Sequence, residues 1–194
     1  MIAAGFADPA LDAQRCFRAV LEAMSRPGRV QQLPQALLPE PPEPLDPATA
    51  AALLTLADAD TPVWLDDVAA PAADWLRFHA GCPIVAAPMV ATFALACGAV
   101  PALDSLAAGT EEAPQESATL VIQLASLAAG TPLRLSGPGI EREHVLHVTG
   151  LPPGFAPAWT RNAARFPCGI DLILCAGHAL AALPRSVRVV EGAG

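Results

Sequence analysis

Between Leu11 and Met24 the apolar residues Leu11, Phe17, Val20, Leu21 and Met24 fall on one broad helical face. Asp8 before Pro9 marks the start of that helix, and Pro27-Gly28 stops it. Arg18–Glu22 and Glu22–Arg26, each four apart, form the charged pairs of the opposite face. Arg29 to Leu33 then reads as a short strand. The proline-rich run PQALLPEPPEPLDP, residues 34–47, reads as a surface loop, with an extended linker or a partner-binding strip as the other readings.

Beyond it the periodicity alternates between helical and extended. Ala48 to Ala57 is expected as helix, Thr61 to Leu65 as a buried strand, and Ala72 to His79 as helix bounded by Gly81 and Pro83. Ala91 to Ala96 is expected as strand and Pro101 to Ala108 as a short helix. Ala118 to Ala125, rich in β-branched and large apolar residues, is a strong strand candidate. Pro132 to Ser136 and His144 to Thr149 flank Gly137-Pro138-Gly139 and read as a hairpin. Phe155 to Ala164 (helix), Gly169 to Cys175 (buried strand) and Ser186 to Val190 (last strand) complete the series. Strands alternating with helices predict an α/β fold, and the hairpin makes its sheet mixed.

A chain of 194 residues, 53% hydrophobic and 15% charged, suits one domain over residues 1–194. Alanine supplies much of the apolar count, which leaves surface for partners. The net charge of −8 argues against a nucleic-acid binder. All basic side chains other than histidine are arginine, so a local arginine site for one small anion stays open. The absence of lysine excludes a P-loop, a pyridoxal-phosphate imine and a Schiff-base aldolase. Five scattered cysteines, with no C-x-x-C pair, point to a reducing cytoplasm. Met1 to Arg15 carries Asp8 and Asp12 and no basic n-region, unlike a secretory leader. Ile84 to Val100 is uncharged, but Pro88 and Thr92 interrupt it, so two short buried strands are expected rather than a membrane span.

Candidate chemistry is sparse. His144 and His147 lie three apart in a strand-like run and would face opposite ways, so no metal is expected there. Arg77 and His79 are candidates for clamping a phosphate or phosphonate, against the simpler role of charge at a helix C-terminus. Asp58, Asp60, Asp66 and Asp67 surround the Thr61–Leu65 strand, where they could hold magnesium or only cap loops. Asp171 lies among apolar neighbours and needs a cationic partner, Arg165 or Arg185. Cys16, Cys82, Cys97, Cys168 and Cys175 read as small buried hydrophobes.

Six stretches, in order, resemble the PhnH family of organophosphonate-degradation proteins. They are DAQRCFRAVLEAMSRPG (Asp12 to Gly28), LLTLADADTPVWL (Leu53 to Leu65), LRFHAGCP (Leu76 to Pro83), ATLVIQLASL (Ala118 to Leu127), LRLSGPGI (Leu133 to Ile140) and FPCGIDLIL (Phe166 to Leu174), followed by Leu183-Pro184-Arg185. They span nearly the whole chain. The stretch after Leu33 and the segment Glu141 to Arg165 are the least similar, and Cys168 replaces a larger aliphatic residue.

The resemblance implies a three-layer α/β/α domain similar to the pyridoxal-phosphate-dependent transferase fold, without that cofactor. It implies a cytoplasmic homodimer in the carbon–phosphorus lyase complex. There a phosphonate replaces adenine at C1 of the ATP ribose. A PhnI-type nucleosidase subunit carries that chemistry, aided by PhnG, PhnH and PhnL types, and a PhnJ-type radical subunit later cleaves the carbon–phosphorus bond. No catalytic residue set comes with the resemblance. The expectation is therefore a non-catalytic subunit with no cofactor, no metal, no nucleic acid and no membrane partner. The alternatives are a subunit gripping ATP or phosphonate through Arg77, His79 and the Asp58/Asp60 loop, and an unrelated scaffold.

Overall fold

The computed structural model describes residues 2–192. Helix α1 (Pro9–Ser25) starts where Asp8 accepts the Leu11 N–H at 3.1 Å. It is followed by β1 (Gln31–Gln32), α2 (Pro47–Leu56), β2 (Val63–Leu65), α3 (Ala73–Ala80), β3 (Ile84–Val85) and β4 (Phe93–Ala96). The second half contains β5 (Thr119–Gln123), β6 (Ser126–Ser136), β7 (His144–Thr149), α4 (Phe155–Ala163), β8 (Asp171–Ala176), β9 (Ala179–Leu183) and β10 (Arg188–Glu191).

Seven strands form a mixed sheet in the order β1-β9-β8-β5-β4-β2-β3. β8, β5, β4, β2 and β3 run parallel; at one end β9 pairs antiparallel with β8, and β1 pairs antiparallel with β9. The remaining strands make a wholly antiparallel sheet, β10-β6-β7. Alternation along the central strands supplies two cores. Leu95, Val121 and Ile173 face α1, α2 and α3. Ala94, Leu120 and Leu172 face the three-stranded sheet and α4.

The α/β class and the mixed sheet follow the expectation, and there are three layers. One outer layer differs: it is a β-sheet carrying a single helix, not a layer of helices. The hairpin that makes the sequence read as mixed belongs to this second sheet. The mixing of the main sheet comes instead from β1 and β9.

The buried face of α1 also differs from the expected one. Asp12, Cys16, Val20 and Ala23 turn inward, while Leu11, Phe17 and Leu21 stay exposed, Phe17 at 44% and Leu21 at 51%. A helix packed on alanines needs small inward residues, which leaves the larger apolar ones outside. Glu22 pairs with Arg26 at 3.1 Å, and Arg15 with Asp12 at 3.7 Å.

The proline-rich run is docked rather than loose. Gln123 on β5 accepts the Asp46 N–H at 2.7 Å and donates to the Pro44 carbonyl at 2.8 Å, and Leu45 is buried beside it. Pro101 to Ala108 is a loop with one short 3₁₀ turn at Leu103–Ser105. Ile84 to Val100 contains the two short strands β3 and β4. Among the described residues no helix is long and apolar enough to cross a membrane.

Candidate functional site

The side chains singled out from the sequence mostly serve the fold. Asp58 accepts the Asp60 N–H at 3.0 Å and the Thr61 hydroxyl at 3.1 Å, closing its own turn. Asp66 is buried where β2 ends, next to the end of β4. Its carboxylate accepts the N–H groups of Ala69, Cys97 and Gly98 at 2.8, 3.1 and 2.7 Å. These three charge-assisted bonds take most of the roughly four acceptor sites of the carboxylate and give it a structural role. Among the described residues, no group of three or more His, Cys, Asp or Glu is placed to share a metal ion.

Arg77 and His79 both lie on α3 but do not converge. Residues two apart in sequence lie about 200° apart around a helix axis. Arg77 pairs with Asp74 at 2.9 Å on the exposed side. His79 turns towards the chain start, where its Nε2 and the Trp75 Nε1 both reach the Ala3 carbonyl at 2.9 Å. A carbonyl only accepts, so the His79 Nε2 bears hydrogen.

Asp171 finds Arg185 rather than Arg165. Its Oδ1 accepts the Arg185 Nε at 3.1 Å and the Arg185 backbone N–H at 2.7 Å, and its Oδ2 accepts Nη2 at 2.5 Å. The same guanidinium reaches the Pro114 carbonyl at 2.9 Å, the Pro167 carbonyl at 3.3 Å and the Ser117 hydroxyl. With side chains 14% and 16% exposed, the pair ties three loops to the N-terminal end of β8. Beside it, Asn162 of α4 exchanges two bonds of 2.9 Å with the Ile170 backbone.

Four of the five thiols are insulated, while Cys168 is only half-buried. Burial pushes the Cys97 thiol up to about 12, helped by the charges of Asp66 and Asp46. Burial likewise raises Cys16, Cys82 and Cys175. A thiol held neutral is neither nucleophile nor metal ligand at neutral pH. His144 bonds the Gly28 carbonyl at 3.1 Å through Nε2. In the register of β7 it pairs with Leu135, and His147 with Pro132.

One arrangement was not legible in the sequence. The Pro27-Gly28 turn and the Gly137-Pro138-Gly139 turn meet and bound a polar cleft of about 340 Å³. Both need glycine there: a Cβ on Gly28 would come 2.2 Å from Leu135 Cδ1, and one on Gly139 2.3 Å from the Ser25 carbonyl. Arg29, Arg142 and His144 line the cleft, together with Glu141 and Glu143. Glu143 is taken by Arg134 at 2.9 Å, whereas Arg29 and Arg142 have no ion-pair partner among the described residues. Two free guanidinium groups at one opening suit an oxyanion. The only sequence signal was an arginine shortly after each glycine turn, and nothing local says that the turns meet.

Residues 4–190 match the family model described as bacterial phosphonate metabolism protein (PhnH). The chain is 41% identical, over 95% of its length and 93% of the other's, to a Rhizobium meliloti (strain 1021) protein. That protein is named alpha-D-ribose 1-methylphosphonate 5-triphosphate synthase subunit PhnH. The chain is also 36% identical, over 91% of its length and 85% of the other's, to a Stutzerimonas stutzeri protein provisionally named C-P lyase subunit protein HtxG.

Proposed function

The chain belongs to the PhnH family of bacterial phosphonate metabolism proteins, and from that premise we propose that it is a subunit of alpha-D-ribose 1-methylphosphonate 5-triphosphate synthase. The observation that carries this is the 41% identity along 95% of the chain to a protein named as that subunit. In the reaction the C1–N9 bond of ATP breaks, a phosphonate oxygen bonds to C1, and adenine leaves with a proton.

Such a displacement needs a base or an acid near the leaving group and a carboxylate near the cationic sugar carbon. Here Asp58, Asp66 and Asp171 are engaged with backbone N–H groups, a hydroxyl or an arginine, and four thiols are held neutral. That supports an auxiliary role, with the displacement carried by a PhnI-type partner, aided by PhnG- and PhnL-type subunits, and the later carbon–phosphorus cleavage by a PhnJ-type subunit.

The whole chain acts in this reading as one cytoplasmic domain and as a homodimer. The exposed apolar face of α1 supports the dimer. The fold reading extends to a likeness to pyridoxal-phosphate-dependent transferases. That cofactor itself does not fit, since the chain has no lysine to bind it as an imine.

The test is adenine release from ATP with methylphosphonate and magnesium. The pure chain releases none, and the partner subunits release more with it than without it. Turnover by the pure chain would contradict the auxiliary role.

A second reading, a nucleotide- or phosphonate-binding subunit, draws support from the cleft at Arg29 and Arg142. Arg77 and His79 are its other candidates. Calorimetry with ATP and with methylphosphonate on the isolated chain separates the two readings: this one requires binding that Arg29→Ala, Arg142→Ala or Arg77→Ala weakens.

A further inference from the structure

β10 lies at the edge of the three-stranded sheet, paired with β6 on one side only. Its register runs from Arg188↔Ser136 to Glu191↔Leu133. The Gly192 N–H continues it, donating to the Pro132 carbonyl at 2.8 Å. In an antiparallel pair the bonded residues alternate. Residues 188, 190 and 192 therefore bond β6, while Val189 and Glu191 direct their N–H and C=O groups outward. Neither N–H finds a backbone partner outside its own sheet among the described residues.

On that open side stands α4, which packs chiefly against β10 and is fastened by the Trp159 Nε1 bond to the Val187 carbonyl at 2.8 Å. The two elements bound an open groove of about 580 Å³, lined by Thr160, Ala163 and Phe166 on the helix side and by Arg188 and Val190 on the strand side. Phe166 is 64% exposed and Val190 62%. The groove lining contains one cation, Arg188, and no carboxylate, in a chain of net charge −8. Arg188 has no ion-pair partner among the described residues.

We propose that this groove receives an extended segment of another subunit, which adds to β10 as a further strand. Its apolar side chain rests on Phe166 and Val190, and its carboxylate meets Arg188. The unpaired edge supplies main-chain bonds and the groove supplies side-chain selection, the two ingredients of strand addition. The lone arginine selects an acidic segment. A second copy of this chain is a poorer occupant, because it would bring its own α4 wall to the same edge. The identity of the donor rests on the multi-subunit reading above.

The test uses the full-length chain and co-expressed PhnG-, PhnI- and PhnJ-type subunits. Arg188→Glu reverses the charge. Glu191→Pro removes an outward N–H without touching a bond to β6. Melting curves confirm that both variants fold. The expected result is association weakened about ten-fold or more in each variant, with the Val189 and Glu191 amides exchanging more slowly in the assembled wild type than in the isolated chain. Variants that associate like the wild type, or amides that exchange unchanged, would overturn the groove and leave the subunit reading standing. Amides already protected in the isolated chain in a concentration-dependent way would make a second copy the occupant and overturn the proposal. A wild type that fails to associate would overturn both.

Discussion

The two faces of the seven-stranded sheet are filled by different means. Towards the helices small residues take a larger share of the filling: Ala48, Ala50, Ala51 and Ala52 of α2 and Ala23 of α1 are fully buried beside Leu53 and Leu76. Towards the second sheet it is large: Trp159, Leu133, Leu135, Leu146 and Ile170 are fully buried. Small residues bring helices close to the sheet, so that face gains its cohesion from many short contacts and has no room to spare. The bulky face concentrates burial in a few side chains. The two faces should therefore fail in opposite directions, the bulky one when atoms are removed and the small one when atoms are added.

The largest effect belongs to the bulky face. Trp159→Ala removes a wholly buried ring and the bond to the Val187 carbonyl, and should cost about 3–5 kcal/mol in urea unfolding. Next comes the small face, where Ala51→Leu should cost about 1–3 kcal/mol by overpacking. If the tryptophan loss proves cheaper than the alanine enlargement, the contrast is wrong.

A smaller effect concerns the thiols, which also divide by face. Cys16, Cys82 and Cys175 belong to the helical core and Cys97 packs against it, while the other core holds none. Folding raises the Cys97 thiol from its ordinary 9.0 to about 12. The folded state thus holds a proton that the unfolded chain releases. The stabilisation is whole below about pH 9 and is lost as pH rises towards 12. Accordingly Cys97→Ser should flatten the decline of stability with alkaline pH. In the wild type, Cys97 should resist thiol reagents at pH 8 until urea is added. Rapid labelling of Cys97 in the native protein would contradict this.

The same contrast explains which parts of the fold were legible. β5, with Leu120, Val121 and Ile122, announces itself because large apolar residues fill both of its faces. β9, Ala179 to Leu183, is silent in the sequence because alanine carries little strand signal. Ala182 faces the helical layer, where α1 packs across the strand, while Ala179 and Ala181 face the second sheet, a division visible only in three dimensions. The outward turn of Phe17 and Leu21 has the same origin: helical periodicity marks an apolar face but does not say which part is covered. Asp171 was legible as a residue needing a cation, but the choice of Arg185 over Arg165 depended on how the chain returns after β9. The cleft at Arg29 and Arg142 joins two turns far apart in sequence, and no local pattern encodes their meeting.

The exposed apolar residues left by this division, Phe17 and Leu21 on one side and Phe166 and Val190 on the other, fit a protein that works in assembly. The most direct test is the mass of the protein alone and with its proposed partners. Light scattering of the isolated chain at micromolar concentration should give twice the 19.9 kDa chain mass. Co-expression with PhnG-, PhnI- and PhnJ-type subunits should carry the chain into a heavier species that survives purification. A monomer that elutes apart from those subunits would contradict the account.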